Sequence, residues 1–152
     1  MLENNHEKKP KKYAGILAHP TSFPSPYGIG DLGKGAYRFI DFLANSGLNL
    51  WQVLPLGHTG FGDSPYQPFS AFAGQPLIID LDALKEYKLL SEDDFTDMPE
   101  WDPIHIDYGT LITFKTKLLK LAYERFTDPD YEDGLSTDEE QMAAFASFKK
   151  DS

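Results

Sequence analysis

Asp63, Ser64 and Tyr66 set a carboxylate, a hydroxyl and a phenol close together within one loop that spans residues 54–74. The loop follows an apolar run at residues 48–54 that reads as a buried strand. It then continues for about twenty residues without helical or strand periodicity, a length that in a compact domain is either functional or disordered. Its composition argues against disorder, because Phe61, Tyr66, Phe69 and Phe72 are aromatic and disordered segments are poor in aromatics. Pro55, Pro65 and Pro68 lock φ, while Gly57, Gly60, Gly62 and Gly74 permit positive φ. Thr59, Asp63, Ser64 and Gln67 set small polar groups between the rings. A rigid loop with flat apolar faces beside hydrogen-bonding groups suits a sugar, which has apolar C–H faces and a hydroxyl rim. Tyr66 is therefore a binding candidate, with a packed loop anchor as its alternative role.

Other candidates carry less. Glycoside chemistry needs two carboxylates, and Asp31 and Asp63 are the pair that falls in loops after strands. Acidic residues in glycine-rich turns more often cap backbone N–H groups. His19 and His58 each follow a strand, where barrel enzymes place functional groups, and a structural hydrogen bond remains the equal alternative. Gly28-Ile29-Gly30-Asp31-Leu32-Gly33 matches GxGxxG by letter, but residues 20–27 separate it from the strand and no acidic residue follows at ribose distance. Those glycines are read as shaping a loop. The acidic stretch at residues 128–134 departs from a calcium loop in its glycine position and in Pro129, and is read as a solvated turn. The four histidines show no metal-ligand spacing.

The elements that must position these groups are legible in outline. Residues 13–19 read as a short apolar strand, followed by a turn-rich loop through Gly33. Ala36, Phe39, Ile40 and Leu43 recur at helical spacing, and Gly47 sits where a helix C-terminus favours glycine. Residues 48–54 complete a strand–helix–strand unit whose strands read as buried on both faces, as in a parallel sheet. Beyond the loop, residues 77–80 fit a short strand or an extended connection. Asp80 or Asp82 can cap a short helix, Ser91 with Asp94 resembles a weaker cap, and residues 104–106 could form a bridge. A helix over residues 110–126 puts Leu111, Phe114, Leu118, Leu121 and Ala122 inward, and Thr137 with Glu140 opens a last helix containing Met142, Phe145, Ala146 and Phe148. One strand–helix–strand unit cannot bury a parallel sheet, so the expectation is an incomplete piece of a larger α/β protein.

Composition narrows the function classes. The chain of 152 residues is 41% hydrophobic and 14% aromatic, which is globular, and its net charge of −10 disfavours nucleic acid and anionic membrane as partners. Zero cysteines rule out a disulfide scaffold or thiol nucleophile within it. No run approaches the roughly twenty apolar residues needed to span a bilayer, and residues 1–12 read as a charged tail rather than a secretory leader. A cytoplasmic protein is the expectation.

Four ordered blocks resemble the amino-terminal part of the 4-α-glucanotransferase (amylomaltase or disproportionating-enzyme) family of the α-amylase clan. They are His19-Pro20-Thr21-Ser22-Phe23-Pro24, Tyr27-Gly28-Ile29-Gly30-Asp31-Leu32-Gly33, Trp51-Gln52-Val53-Leu54-Pro55-Leu56-Gly57 and residues 62–74, which contain Ser64-Pro65-Tyr66-Gln67. The resemblance covers residues 13–82 and continues more weakly through Ile106-Asp107-Tyr108 and the following helix. It implies an α/β fold, the N-terminal part of a (β/α)8 TIM barrel. Residues 13–81 would then form the first two barrel strands with their helix and active-face loops, and residues 82–152 the start of an inserted, mainly helical subdomain. It implies transfer of α-1,4-glucan segments between maltooligosaccharides and a glucose acceptor by a retaining double displacement, without an organic cofactor. The nucleophile and the acid/base residue would come from later strands, so no catalytic residue is assigned to this chain. Tyr66 would line the donor-sugar pocket, with Ser64 and Asp63 beside it. Many relatives have tyrosine at the position of Phe61, so a hydroxyl contact there would be missing. A stand-alone α-glucan-binding module and a glucan hydrolase of the same clan are the alternatives.

Overall fold

Two short parallel strands and one crossover helix open the chain in the computed structural model, which describes residues 12–58, 64, 66, 67, 70, 72–131 and 139–151. Strand β1 (Gly15–Leu17) pairs with β2 (Leu50–Gln52) in the register Gly15↔Leu50, Ile16↔Trp51, Leu17↔Gln52. Helix α1 (Lys34–Asn45) connects them and ends at Ser46 and Gly47 as expected, with Gly47 at φ +70°. The ring of Phe39 on α1 lies 5.1 Å from Phe23 and 5.3 Å from Trp51, which fastens the helix to one face of the sheet and to the loop after β1. Trp51 also donates its indole N–H to the Ala18 carbonyl at 2.8 Å, so the rotamer of the ring is held at both ends.

The sheet departs from its expected burial. Side chains alternate across a strand, and paired residues of neighbouring strands share a face. Ile16 and Trp51 therefore lie together on the face that α1 covers, and both are half-buried. Leu17 and Leu50 point to the opposite face, where they are 57% and 50% exposed. Burial on both faces needs a layer on both sides, and α1 with its aromatic contacts covers only one. Ile40 is likewise exposed although its spacing placed it with the inward residues Ala36 and Leu43.

The apolar core lies instead between the loop after β1 and the helices that follow the second loop. Pro76–Ile78 is a single 3-10 turn, in place of the strand or extended connection expected at residues 77–80. Helix α2 (Leu81–Glu86) is capped by Asp80, which accepts the Asp82 N–H at 2.9 Å. Ser91 and Asp94 form a full capping box on a second 3-10 turn, Glu92–Phe95. Helix α3 (Tyr108–Thr127) starts at Asp107, whose carboxylate accepts the Thr110 N–H at 3.2 Å. No bridge forms at residues 104–106, because the Asp102 carboxylate takes the N–H groups of Ile104 and His105 at 2.7 and 3.0 Å and closes a turn there. Helix α4 (Glu139–Asp151) sets the Phe145 ring edge to face with Phe126 at 5.0 Å between centroids, and Thr137 of its expected cap lies outside the described residues.

Tyr27, Leu81, Leu89, Leu90, Phe114, Leu118 and Ala122 make one buried cluster, and Ile29, Leu77 and Leu111 make a second beside it. Leu81, Leu111 and Leu118 have no exposed surface, and each such side chain contributes about 1.5–3 kcal/mol of burial. The inward face of α3 is as expected with one addition: Lys115, also without exposed surface, sits among these leucines.

Two glycines let the loop after β1 pack this closely. Gly28 has φ +78°, and a Cβ there would lie 2.5 Å from the Trp101 ring. At Gly33, the N-cap of α1, a Cβ would lie 2.4 Å from the Asp80 carboxylate. These glycines shape a packed loop, as the sequence implied. A salt bridge closes the far end of the core. Arg125 donates to both carboxylate oxygens of Asp94 at 2.6 and 3.0 Å and to the Leu89 carbonyl at 3.0 Å. The guanidinium is the chief reason the Asp94 carboxyl falls from 3.8 to about 2.

Gly28→Ala meets both a positive φ and the indole of Trp101, and should lower stability by about 1–3 kcal/mol, read as an earlier tryptophan-fluorescence melting transition. Asp94 has a folded pKa below its unfolded value, so its contribution is present above the ordinary carboxylate range and is lost as pH falls through about 2. The stability gap between the parent and Asp94→Asn should therefore be largest near neutral pH and close in strong acid. A gap that stays constant in acid denaturation curves would show that the ion pair contributes nothing.

Candidate functional site

Because β1 and β2 run parallel, the loops that follow them leave the sheet at the same end. The Ala18 N–H donates to the Gln52 carbonyl at 3.0 Å, which carries the pairing one step past the strands to where both loops begin. The second loop is closed at its base. Gln75 donates its N–H to the Leu56 carbonyl at 2.8 Å, and Gly57 bridges antiparallel to Gly74. Both ends of this long excursion thus return to one stem.

Inside the loop, small hydroxyls set the backbone. Ser64 accepts the Tyr66 N–H on its Oγ at 3.4 Å and the Gln67 N–H on its carbonyl at 3.2 Å. Ser70 Oγ accepts the N–H groups of Phe72 and Ala73, each at 3.1 Å. These serine turns leave their rings outside: Tyr66 is 67% exposed and Phe72 is 98% exposed. Of the three expected sugar contacts, Tyr66 and Ser64 are therefore neighbours in one turn. Asp63 lies outside the described residues, as do Thr59 and Phe61.

The first loop is held differently. His19 caps the 3-10 turn Pro20–Ser22, its Nδ1 lying 2.8 Å from Thr21 Oγ1 and accepting the Thr21 N–H at 3.4 Å. With Nδ1 an acceptor, the neutral ring carries its proton on Nε2. For His19 the structure thus supplies the hydrogen bond that was one of its two readings. Asp31 is buried and works as a backbone cap. Its carboxylate accepts the Gly33 N–H at 3.0 Å and the Ser25 hydroxyl at 3.4 Å. Burial raises its pKa, while the Gly33 N–H and the charge of Lys115 act in the opposite sense. Asp31 is accordingly tied to the fold rather than presented to a ligand.

Lys115 is the residue of this region that sequence reasoning missed. Its ammonium donates to the Leu77 carbonyl at 2.7 Å and the Ile79 carbonyl at 3.0 Å, just beyond the stem of the Tyr66 loop. The signal was present: positions 111, 114, 115, 118 and 122 all fall on one helical face, so position 115 is inward whatever residue occupies it.

An open groove of about 780 Å³ runs between the first loop and residues 98–106, with Phe23, Pro26, Trp101, Pro103 and Ile104 in its walls; none of the described residues of the Tyr66 loop lines it. Among the described residues no group of three His, Asp or Glu side chains could hold a metal ion, and no helix is long and apolar enough to cross a membrane.

Comparison with known proteins places this geometry. The 4-alpha-glucanotransferase family profile matches residues 18–152. A 4-alpha-glucanotransferase of Clostridium butyricum is 50% identical over 115 residues, which are 75% of this chain and 24% of that protein. One from Thermus thermophilus is 45% identical over 136 residues, covering 90% of this chain and 25% of its own length. Among solved structures, an amylomaltase from Streptococcus agalactiae in complex with acarbose aligns with a TM-score of 0.78 at 37% identity, over 93% of this chain and 27% of that one. The chain thus spans 24–27% of the length of these three proteins. On the extent of the profile match and on these identities, the chain belongs to the 4-alpha-glucanotransferase family.

Proposed function

We propose that this chain forms one wall of the glucan-binding cleft of a 4-alpha-glucanotransferase, which moves α-1,4-glucan segments between maltooligosaccharides by a retaining double displacement. The observation that carries the proposal is the exposed Tyr66 ring, presented by the Ser64 turn on a loop whose two ends are closed onto the end of a parallel strand pair. In barrel enzymes that end of the sheet is the functional face. A half-open phenol offers its ring to the apolar face of a sugar and its hydroxyl to the rim. Ser64 and Asp63 then stand beside the bound sugar. The acarbose bound to the amylomaltase relative supports a carbohydrate ligand here.

In this reading residues 13–81 are the first two strands of a TIM barrel with their helix and loops, and residues 82–152 begin an inserted helical subdomain. The half-exposed Leu17 and Leu50 support it, since further strands and layers of such a barrel would cover them. The attacking and protonating carboxylates belong to later strands, which agrees with the use of Asp31 as a backbone cap. The double displacement itself places one carboxylate on the anomeric carbon as the glucan leaving group departs with a proton from the second. An acceptor sugar hydroxyl then displaces the first carboxylate and returns that proton. A cytoplasmic setting, with no nucleic acid or membrane partner, completes the proposal.

Incubated alone with maltotriose, the chain should release no glucose above blank, whereas efficient disproportionation would end this division of labour. Joining residues 18–152 to the remainder of the Clostridium butyricum relative should give an active chimera. In that chimera Tyr66→Ala should reduce kcat/KM for maltotriose on the order of 100-fold. Transfer unaltered by the substitution would remove Tyr66 from the sugar site.

A further inference from the structure

Lys115 has no exposed surface, yet its neighbours along the same helical face are Leu111, Phe114 and Leu118. An apolar side chain would fill that volume at less cost, because a buried ammonium must recover its lost hydration through partners. The partners it has are specific. Leu77 and Ile79 supply the two carbonyls at 2.7 and 3.0 Å, and Asp31 and Asp80 face it electrostatically. Burial lowers its pKa to about 8, with the two aspartates opposing that fall.

Each of these partners belongs to a segment that leads to or from one of the two loops. Residues 77–79 follow Gln75, whose N–H closes the stem of the Tyr66 loop on Leu56. Ile78, between the two bonded carbonyls, accepts the Leu32 N–H at 3.0 Å and so joins the stem to the first loop. Asp80 caps α2 and lies against Gly33, and Asp31 caps the turn at Gly33. One ammonium on α3 thereby meets the exit of the second loop and the end of the first.

We propose that Lys115 is a positioning residue for the sugar-binding loop: its hydrogen bonds to Leu77 and Ile79 set the stem from which Tyr66 is presented. It touches no sugar and acts through the stem. The proposal rests on the assignment of Tyr66 to the glucan cleft and adds the residue that aims it. Without the ammonium the two carbonyls lose their donor, and the stem can shift against α3 although the leucines around it remain packed.

The absence of cysteine from the chain makes a selective test available. Lys115→Cys, alkylated in denaturant with 2-bromoethylamine and refolded, carries an ammonium at lysine length. The same variant alkylated with 1-bromopropane is nearly isosteric and uncharged. In hydrogen exchange on the full chain, the propyl form and Lys115→Met should speed the amides of Leu32, Gln75 and Ile78 on the order of tenfold, leaving the middle of α1 unchanged. The aminoethyl form should return the parent rates. Equal acceleration of every amide, or identical behaviour of the two alkylated forms, would overturn the proposal. Should neither refold, the unsubstituted chain decides it, since scalar coupling from Lys115 Nζ to the carbonyl carbons of Leu77 and Ile79 is expected and its absence refutes the contact. In the chimera, Lys115→Met should raise KM for maltotriose on the order of tenfold with a smaller change in kcat. A loosened stem with unchanged KM would overturn the link to sugar binding. If Tyr66→Ala also left transfer intact, the assignment of the loop would have failed rather than the role of Lys115.

Discussion

A single buried ammonium holds this structure in register. Lys115 reaches from α3 to two backbone carbonyls that no helix or sheet ladder uses, in a region where unpaired carbonyls would be costly. The surrounding leucines supply most of the favourable burial, but burial is non-directional and would tolerate small slips between the helix and the loops. Hydrogen bonds at 2.7 and 3.0 Å do not tolerate them. The geometry of the two loops thus depends on one polar contact within an apolar core, and α3 packs on the 3-10 turn Pro76–Ile78 at that point.

Around it, the two loops are held by different means. The first is packed into the core, with Tyr27 and Ile29 buried and its glycines pressed against Trp101 and Asp80. The Tyr27 hydroxyl, hydrogen-bonded to Asp82, ties it to α2. The second loop is closed at its base, and turns at Ser64 and Ser70 leave the Tyr66 and Phe72 rings outside. In the proposed cleft the packed loop fixes position, while the exposed Tyr66 ring keeps surface free for a sugar.

The sheet shows the same economy on a larger scale. A parallel pair of three-residue strands covered on one face buries little, and the chain places its core between α2, α3 and the first loop. The chain belongs to the 4-alpha-glucanotransferase family and spans 24–27% of the compared proteins.

Much was legible in the sequence because it rests on local rules. The helical spacing of Ala36 and Leu43, the glycine that ends α1, the aspartate before α2 and the Ser91–Asp94 box are set by backbone chemistry within a few residues, and all appear in the structure. The ordered blocks around Gly28 and Tyr66 also carried the family, since a motif is itself a local pattern. The tertiary structure decided what depends on distant partners. Only packing could show that Leu17 and Leu50 are exposed, because burial of a strand face depends on the elements packed against it and not on the strand. Asp31 became a buried backbone cap because the Gly33 N–H and the Ser25 hydroxyl converge on it. Lys115 itself lay at an inward helical position by spacing alone. That a cation would stay there could be known only once the carbonyls of Leu77 and Ile79, distant in sequence, were brought to its ammonium.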